Sequence, residues 1–158
     1  KLIFFKDAPQ GLAARLEQRL RAAFALTDIS FDECVRFVPW QAQSAFFAWL
    51  DRADIYLDSI GFSGFNTTMQ AIERGTPIVA FEGEFMRGRF ASAILRQIGL
   101  DEWVATSTEQ YVQLVERLAS DKKARAFAGQ LIVERRRQLF DDQVTVTAFS
   151  KLLTALCA

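Results

Sequence analysis

Gly61-Phe62-Ser63-Gly64-Phe65-Asn66-Thr67-Thr68-Met69-Gln70 is the stretch on which the fold turns. Ahead of it lies a short apolar run that ends in an acid, Ile55-Tyr56-Leu57-Asp58. Behind it lies a helical pattern that stops at Gly75, then a second apolar run, Pro77-Ile78-Val79-Ala80-Phe81. Strand, glycine-containing loop, helix, strand is the order in which α/β proteins build an anion site. The loop lets backbone approach a ligand, and the unpaired N–H groups of the first helical turn point at it. The helix dipole adds about half a positive charge there. A phosphate or pyrophosphate fits such a place. The same residues also fit an ordinary tight loop in which the side chain of Asn66 or Thr67 caps the helix.

Working outward, the chain alternates between the two periods. Leu2–Phe5 reads as a buried strand broken by Asp7-Ala8-Pro9. Leu12, Leu16, Leu20 and Phe24 fall at helical spacing, which predicts an amphipathic helix over 10–26. A polar connection over 27–33, a strand over 34–38 stopped by Pro39 and a helix over 41–53 follow. The strand over 55–57, the motif helix Asn66–Arg74 and the strand over 77–81 come next. A second glycine-containing loop, Glu82-Gly83-Glu84-Phe85-Met86-Arg87-Gly88-Arg89, leads into a helix that ends at Gly99. In it, Arg89 is expected to form a buried ion pair with Glu84. A short strand over 103–105 precedes a helix whose start, Ser107-Thr108-Glu109-Gln110, fits a capping box. The rest is helical: a charged helix from Asp121 to about Leu139, then one over 144–156. The expected fold class is therefore α/β, a Rossmann-like open, mostly parallel sheet with helices on both faces and a helical C-terminal end. Ligands in such sheets bind at the carboxyl ends of the strands, where both loops fall.

Composition narrows the function. The 158 residues suit a single domain, 51% apolar and 24% charged, a soluble globular balance rather than a disordered one. Net charge is +0, so no broad electrostatic case exists for nucleic acid or an anionic membrane as partner. The charged run with Lys122, Lys123, Arg125, Arg135, Arg136 and Arg137 is flanked by Asp121, Glu134, Asp141 and Asp142 and reads as a solvated helix face. No apolar run approaches the roughly 20 residues that span a bilayer. Histidine is absent, which removes His-based triads, His metal sites and His general bases from this chain. Cys34 and Cys157 have no metal or redox spacing and read as free buried thiols in a reducing compartment. No acidic cluster has a metal-loop spacing, and no metal cofactor is expected. The 15 Phe and 3 Trp exceed what a core needs. Trp40, Phe47, Phe62, Phe65 and Phe85 sit beside polar or turn residues, which suggests a surface that another domain covers. The chain starts inside a strand and without Met, which suggests a piece of a longer protein.

Taken in order, the pieces resemble the catalytic region of the O-linked N-acetylglucosamine transferase and SPINDLY-like family. They are also similar to the bacterial cytoplasmic N-glycosyltransferases that modify adhesins. The pieces are Ala53-Asp54-Ile55-Tyr56-Leu57-Asp58, then Gly64 through Gln70, then Arg74-Gly75-Thr76-Pro77-Ile78-Val79. Gly83-Glu84 with Arg89, Gly99-Leu100-Asp101-Glu102-Trp103-Val104-Ala105, Glu109-Gln110-Tyr111-Val112 and Arg117-Leu118-Ala119-Ser120-Asp121 complete the set. The resemblance implies the C-terminal, donor-binding half of a GT-B fold that begins one βα unit late. It implies a UDP-sugar donor, a protein acceptor, and a cytoplasmic protein whose N-terminal half binds the acceptor behind helical repeats.

Residue by residue, the resemblance puts the donor diphosphate on Gly64, Phe65, Asn66 and Thr67 and the ribose hydroxyls on Gln70. Gly64, Thr67 and Met69 match the family pattern, whereas Phe65 stands where the family has His and Gln70 where it has an acid. The base is expected at the turn after Pro39, against Gln41 and Phe46, although core packing is the favoured reading of Phe46. Arg87 and Arg89 lie near the same sheet edge. Asp54, Asp58 and Glu84 are acceptor-base candidates by position only, Asp58 being better suited to order the loop. No catalytic residue is assigned, and this chain alone is expected to turn over no substrate. The departures at Phe65 and Gln70 also suit a second reading, a degenerate, non-catalytic binding or scaffolding module.

Overall fold

The computed structural model describes residues 1–6, 11–140 and 142–157. Asp7-Ala8-Pro9, the first residue of the helix predicted over 10–26, and Asp141 lie outside the described residues. The chain divides into two compact units, Lys1–Phe46 and Phe47–Ala158.

The first unit is a parallel βαβ arrangement. Strands β1 (Leu2–Phe5) and β2 (Val35–Val38) pair in register from Leu2–Val35 to Phe5–Val38. Phe4 stacks on Phe37 with ring centroids 5.2 Å apart. Helix α1 (Leu12–Phe24) connects them, as the leucine spacing predicts. The stretch expected as a polar connection contains a short helix, α2 (Phe31–Cys34). Its first turn carries Asp32 and Glu33, which suit a helix N-terminus. Phe31 sets its ring edge-on to Phe24 and under the Arg21 guanidinium, and Arg21 also binds Asp32 at 2.9 Å. These side-chain contacts, invisible to a propensity argument, hold the turn. Helix α3 (Gln43–Leu50) starts two residues later than expected, beyond the Pro39 turn.

The second unit carries strands β3 (Tyr56–Leu57), β4 (Ile78–Phe81) and β5 (Val104–Ala105) in the order β3-β4-β5, all parallel. Between them run α4 (Asn66–Arg74) and α5 (Phe90–Gln97), followed by α6 (Thr108–Ser120), α7 (Lys122–Arg135), α8 (Arg137–Phe140) and α9 (Gln143–Leu156). Ile78, Val79 and Ala80 are all buried, so β4 is covered on both faces, as a parallel sheet requires. Trp103, Leu95, Ile72, Leu118 and Ile132 complete this core.

Helix ends follow the expected chemistry. Gly75 closes α4 at φ 73°, a left-handed conformation that a Cβ would oppose, and that Cβ would also meet Val133 at 2.6 Å. Ser107 caps α6 by accepting from the Gln110 N–H at 3.1 Å. Gln110 reaches back to the N–H of Thr106 at 2.8 Å, one residue before the usual capping-box target.

The charged run departs from a uniformly solvated face. Lys122, Lys123 and Arg137 are exposed, but Arg125, Arg135 and Arg136 are half-buried. Each of the three donates to carbonyls at another helix's C-terminus. Arg125 binds Leu118 O at 2.7 Å and Ala119 O at 3.1 Å on α6. Arg135 binds Ile98 O at 3.1 Å and Gly99 O at 2.7 Å after α5, and Arg136 binds Glu73 O on α4. The last carbonyls of a helix lack intrahelical donors and carry the negative end of its dipole, so guanidinium groups satisfy both needs.

Both cysteines are free, but the expected burial is not seen: Cys34 is half-buried and Cys157 exposed. Among the described residues no helix is long and apolar enough to cross a membrane.

Candidate functional site

The loop between β3 and α4 lies at the carboxyl end of β3 and is built on one buried acid. Asp58 is 2% exposed and directly follows the strand. Its carboxylate accepts from Ser63 Oγ at 2.8 Å and from the Gly64 N–H at 3.0 Å. Ser63 Oγ in turn accepts from the Ala91 N–H in the first turn of α5 at 2.8 Å. The Tyr111 hydroxyl, from α6, donates to the Asp58 carbonyl at 2.8 Å. The Asp58 side chain thus ties the loop to its strand, while Ser63 Oγ links the loop to α5 and the Asp58 backbone carbonyl receives α6. Burial pushes the Asp58 carboxyl above its ordinary value, against the lowering effect of the Gly64 and Ser63 hydrogen bonds. This is the loop-ordering role expected of Asp58. Asp54 instead is exposed and pairs with Arg125 at 3.2 Å.

Helix α4 begins at Asn66 with Phe65 as its N-cap residue, and no side chain caps it. Asn66 and Thr67 lie inside the first turn, so the competing reading, in which one of them caps the helix, is not realised. The Met69 N–H takes the first intrahelical bond, to Phe65 O at 3.0 Å, so the preceding N–H groups, at Asn66, Thr67 and Thr68, form the open end. Asn66 and Thr67 are exposed. Thr68 is buried, and its hydroxyl donates to Gly64 O at 2.5 Å. Gln70 lies one turn beyond Asn66 on the same face of the helix and is half-buried. Gly64 is required by close approach: a Cβ there would sit 2.4 Å from Thr67 Oγ1 and 2.7 Å from Tyr56 Oη. Phe65 is 54% exposed and meets the Phe90 ring edge-on at 5.7 Å.

The second loop packs on the first. The Ser63 N–H donates to Arg87 O at 2.7 Å, and Gly83 N–H to Gly88 O at 2.9 Å. Arg87 lies over the Phe85 ring. Arg89 pairs with Glu82 at 2.7 Å, not with Glu84 as expected, and Glu82 also binds Arg96 at 2.6 Å. Glu82 follows β4 directly and is largely covered, with a side chain 14% exposed, whereas Glu84 is exposed in the loop. Arg89 and then Arg96 hold the Glu82 carboxyl below its usual range. Phe62, Phe65 and Phe85, three of the aromatic side chains expected at the surface, are exposed on these two loops beside Ile60 and Met86, whereas Phe47 is half-buried.

Gln41 and Phe46 belong to the first unit. The Gln41 side-chain amide donates to Pro39 O at 2.7 Å and closes its own turn. Phe46 packs edge-on against Phe5 at 5.1 Å. Trp40, between Pro39 and Gln41, is 69% exposed. Within the second unit, Gly64, Phe65, Asn66, Thr67 and Gln70 lie together along the end of the loop and the first turns of α4. Residue patterns alone did not single out Tyr56 or Ser63 as part of it. The available signal for Tyr56 was its place two residues before Asp58, hence on the same face of the strand. Among the described residues no group of three or more His, Cys, Asp or Glu side chains is arranged to hold a metal ion.

Comparison with known proteins bears on the family and the fold. The chain is 35% identical over 71 residues to the probable UDP-N-acetylglucosamine–peptide N-acetylglucosaminyltransferase SPINDLY of Arabidopsis thaliana, covering 45% of this chain and 8% of that protein. It is 35% identical over 69 residues to the UDP-N-acetylglucosamine–peptide N-acetylglucosaminyltransferase of Caenorhabditis elegans, covering 44% of this chain and 6% of that one. The chain thus spans less than a tenth of the length of these curated relatives. A solved O-GlcNAc transferase variant from Thermobaculum terrenum superposes with a TM-score of 0.74 at 26% identity, over 89% of this chain and 26% of that chain. The fold is accordingly that of the Rossmann-like C-terminal half of a GT-B glycosyltransferase. Residues 17–148 match the glycosyl transferase family 41 model, and the chain belongs to that family.

Proposed function

We propose that this chain is the donor-binding half of a cytoplasmic protein glycosyltransferase that uses a UDP-sugar. The observation that carries the reading is the uncapped N-terminus of α4, set beside Gly64 and braced by buried Asp58. Glycosyl transfer from a nucleotide sugar requires stabilisation of the departing diphosphate, and preorganised N–H groups supply it without reorganisation. In this reading the diphosphate lies against Gly64, Phe65, Asn66 and Thr67, and Gln70 binds the ribose hydroxyls. The diphosphate charge is met by the helix dipole and backbone N–H groups, with no metal assigned. The acceptor protein and its activating base belong to an N-terminal half preceded by helical repeats, so this chain alone turns over no substrate.

Calorimetric titration with UDP, GDP and their sugars tests the proposal. UDP binding that weakens at least three-fold in Thr67→Val and in Gln70→Ala supports it. Absence of nucleotide binding, even with the preceding βα unit restored, supports the second reading, a non-catalytic binding module. That alternative draws on Phe65, whose ring packs on Phe90 and brings no hydrogen-bond donor to the cradle.

A further inference from the structure

In the cradle, Thr67 is held by a residue that would not itself touch a ligand. Tyr56 opens β3, two residues before Asp58, so both side chains leave the same face of the strand. Asp58 takes the loop at Ser63 and Gly64. Tyr56 takes the first turn of α4: its hydroxyl lies 2.7 Å from Thr67 Oγ1. The strand therefore supports the loop and the helix start at two separate points. The Gly64 backbone lies against this pair so closely that a Cβ there would strike both oxygens.

A hydroxyl has one proton to donate and two lone pairs to accept with. Either oxygen can donate in this bond, and the phenol, the stronger acid, is the better donor; with Tyr56 donating, Thr67 accepts. That leaves the Thr67 proton for a third group. Thr68 has no such proton to offer, because its hydroxyl is committed to Gly64 O. Thr67 is exposed at the open end of α4, whereas Tyr56 is half-buried beneath it. A threonine side chain is stiff about χ1, so one hydrogen bond at Oγ1 suffices to set the direction of the remaining O–H.

We propose that Tyr56 is a positioning residue of the donor site, whose phenol holds Thr67 so that the Thr67 hydroxyl donates to the diphosphate. The proposal rests on the reading of this loop as a diphosphate cradle. Burial raises the Tyr56 phenol above its ordinary value and keeps its proton in place throughout the neutral range.

Amide chemical-shift titrations of the 158-residue chain with UDP and with uridine test this. Four proteins are compared: wild type, Tyr56→Phe, Thr67→Val and the double variant. Tyr56→Phe removes one oxygen and keeps the ring. It is expected to weaken UDP about five-fold, the size of one hydrogen bond's net contribution, and to leave uridine unchanged. In the Thr67→Val background the same change is expected to have no further effect on UDP, because its route runs through Thr67. Unchanged UDP affinity in Tyr56→Phe, an equal loss on uridine, or effects of Tyr56→Phe and Thr67→Val that simply add would each overturn the proposal. A wild-type chain that binds no UDP overturns the cradle reading itself and this inference with it.

Discussion

Removal of the Asp58 carboxylate is the most direct test of how the loop is held. Asp58→Ala strands the buried Ser63 hydroxyl and removes the acceptor of the half-buried Gly64 N–H. A buried donor without an acceptor costs about 1–3 kcal/mol, and bonds to a charged acceptor lie toward the upper end. Ser63 at that upper end, with a smaller contribution of about 1 kcal/mol from the half-buried Gly64, predicts a loss of about 3–4 kcal/mol. Asp58→Asn keeps one carbonyl oxygen, which can still accept from Gly64. Its amide then donates toward Ser63 Oγ, which already accepts from Ala91, so only the Ser63 proton is stranded. The expected cost is about 1–2 kcal/mol. The pH dependence has a definite sign. The native carboxyl titrates above its ordinary value of 3.8, so the folded state holds more protons than the unfolded state between that value and the native one. Stability from this group therefore falls as pH rises through that window, and the wild-type advantage over Asp58→Asn shrinks with it. Urea unfolding followed by both tryptophan fluorescence and circular dichroism gives the midpoints, at constant m. An Asp58→Ala variant within about 1 kcal/mol of wild type, or an Asn variant as costly as Ala, refutes this account of the loop.

Three further perturbations separate the other supports. Arg135→Ala leaves the Ile98 and Gly99 carbonyls without their donor, so a loss of about 1–2 kcal/mol in urea and faster hydrogen exchange at the end of α5 are expected. Trp103→Ala empties a site that is 1% exposed and is expected to cost about 3–5 kcal/mol. Trp103→Phe is expected to cost far less in the same melt, because it also removes an Nε1–H that has no partner. Gly64→Ala is not strained in its backbone, but its Cβ collides with Thr67 Oγ1 and Tyr56 Oη. A destabilisation of about 1–3 kcal/mol by thermal melting, together with loss of UDP binding in titration, is the expected result.

The features legible from the residues alone are those that short-range rules control. Helix α4 runs from Asn66 to Arg74 as its pattern predicts, because Gly75 supplies the left-handed stop and the apolar residues keep a helical period. The Ser107 cap and the strand–loop–helix order around Gly61–Gln70 were legible for the same reason, since cap, turn and strand all lie within a few residues of one another. Tertiary structure alone decided who pairs with whom. Arg89 chose Glu82 over the sequence-nearer Glu84, because Glu82 is covered beside Arg96 at the end of β4 while Glu84 is exposed. Three arginines of an apparently solvated run became clamps on the ends of α4, α5 and α6, across separations of 6 to 63 residues. Tyr56 reached Thr67 only because the chain folds α4 back over the strand it has just left. A hydrogen bond or an ion pair depends on a few ångströms and an angle, and linear spacing carries neither once the partners lie beyond a single turn.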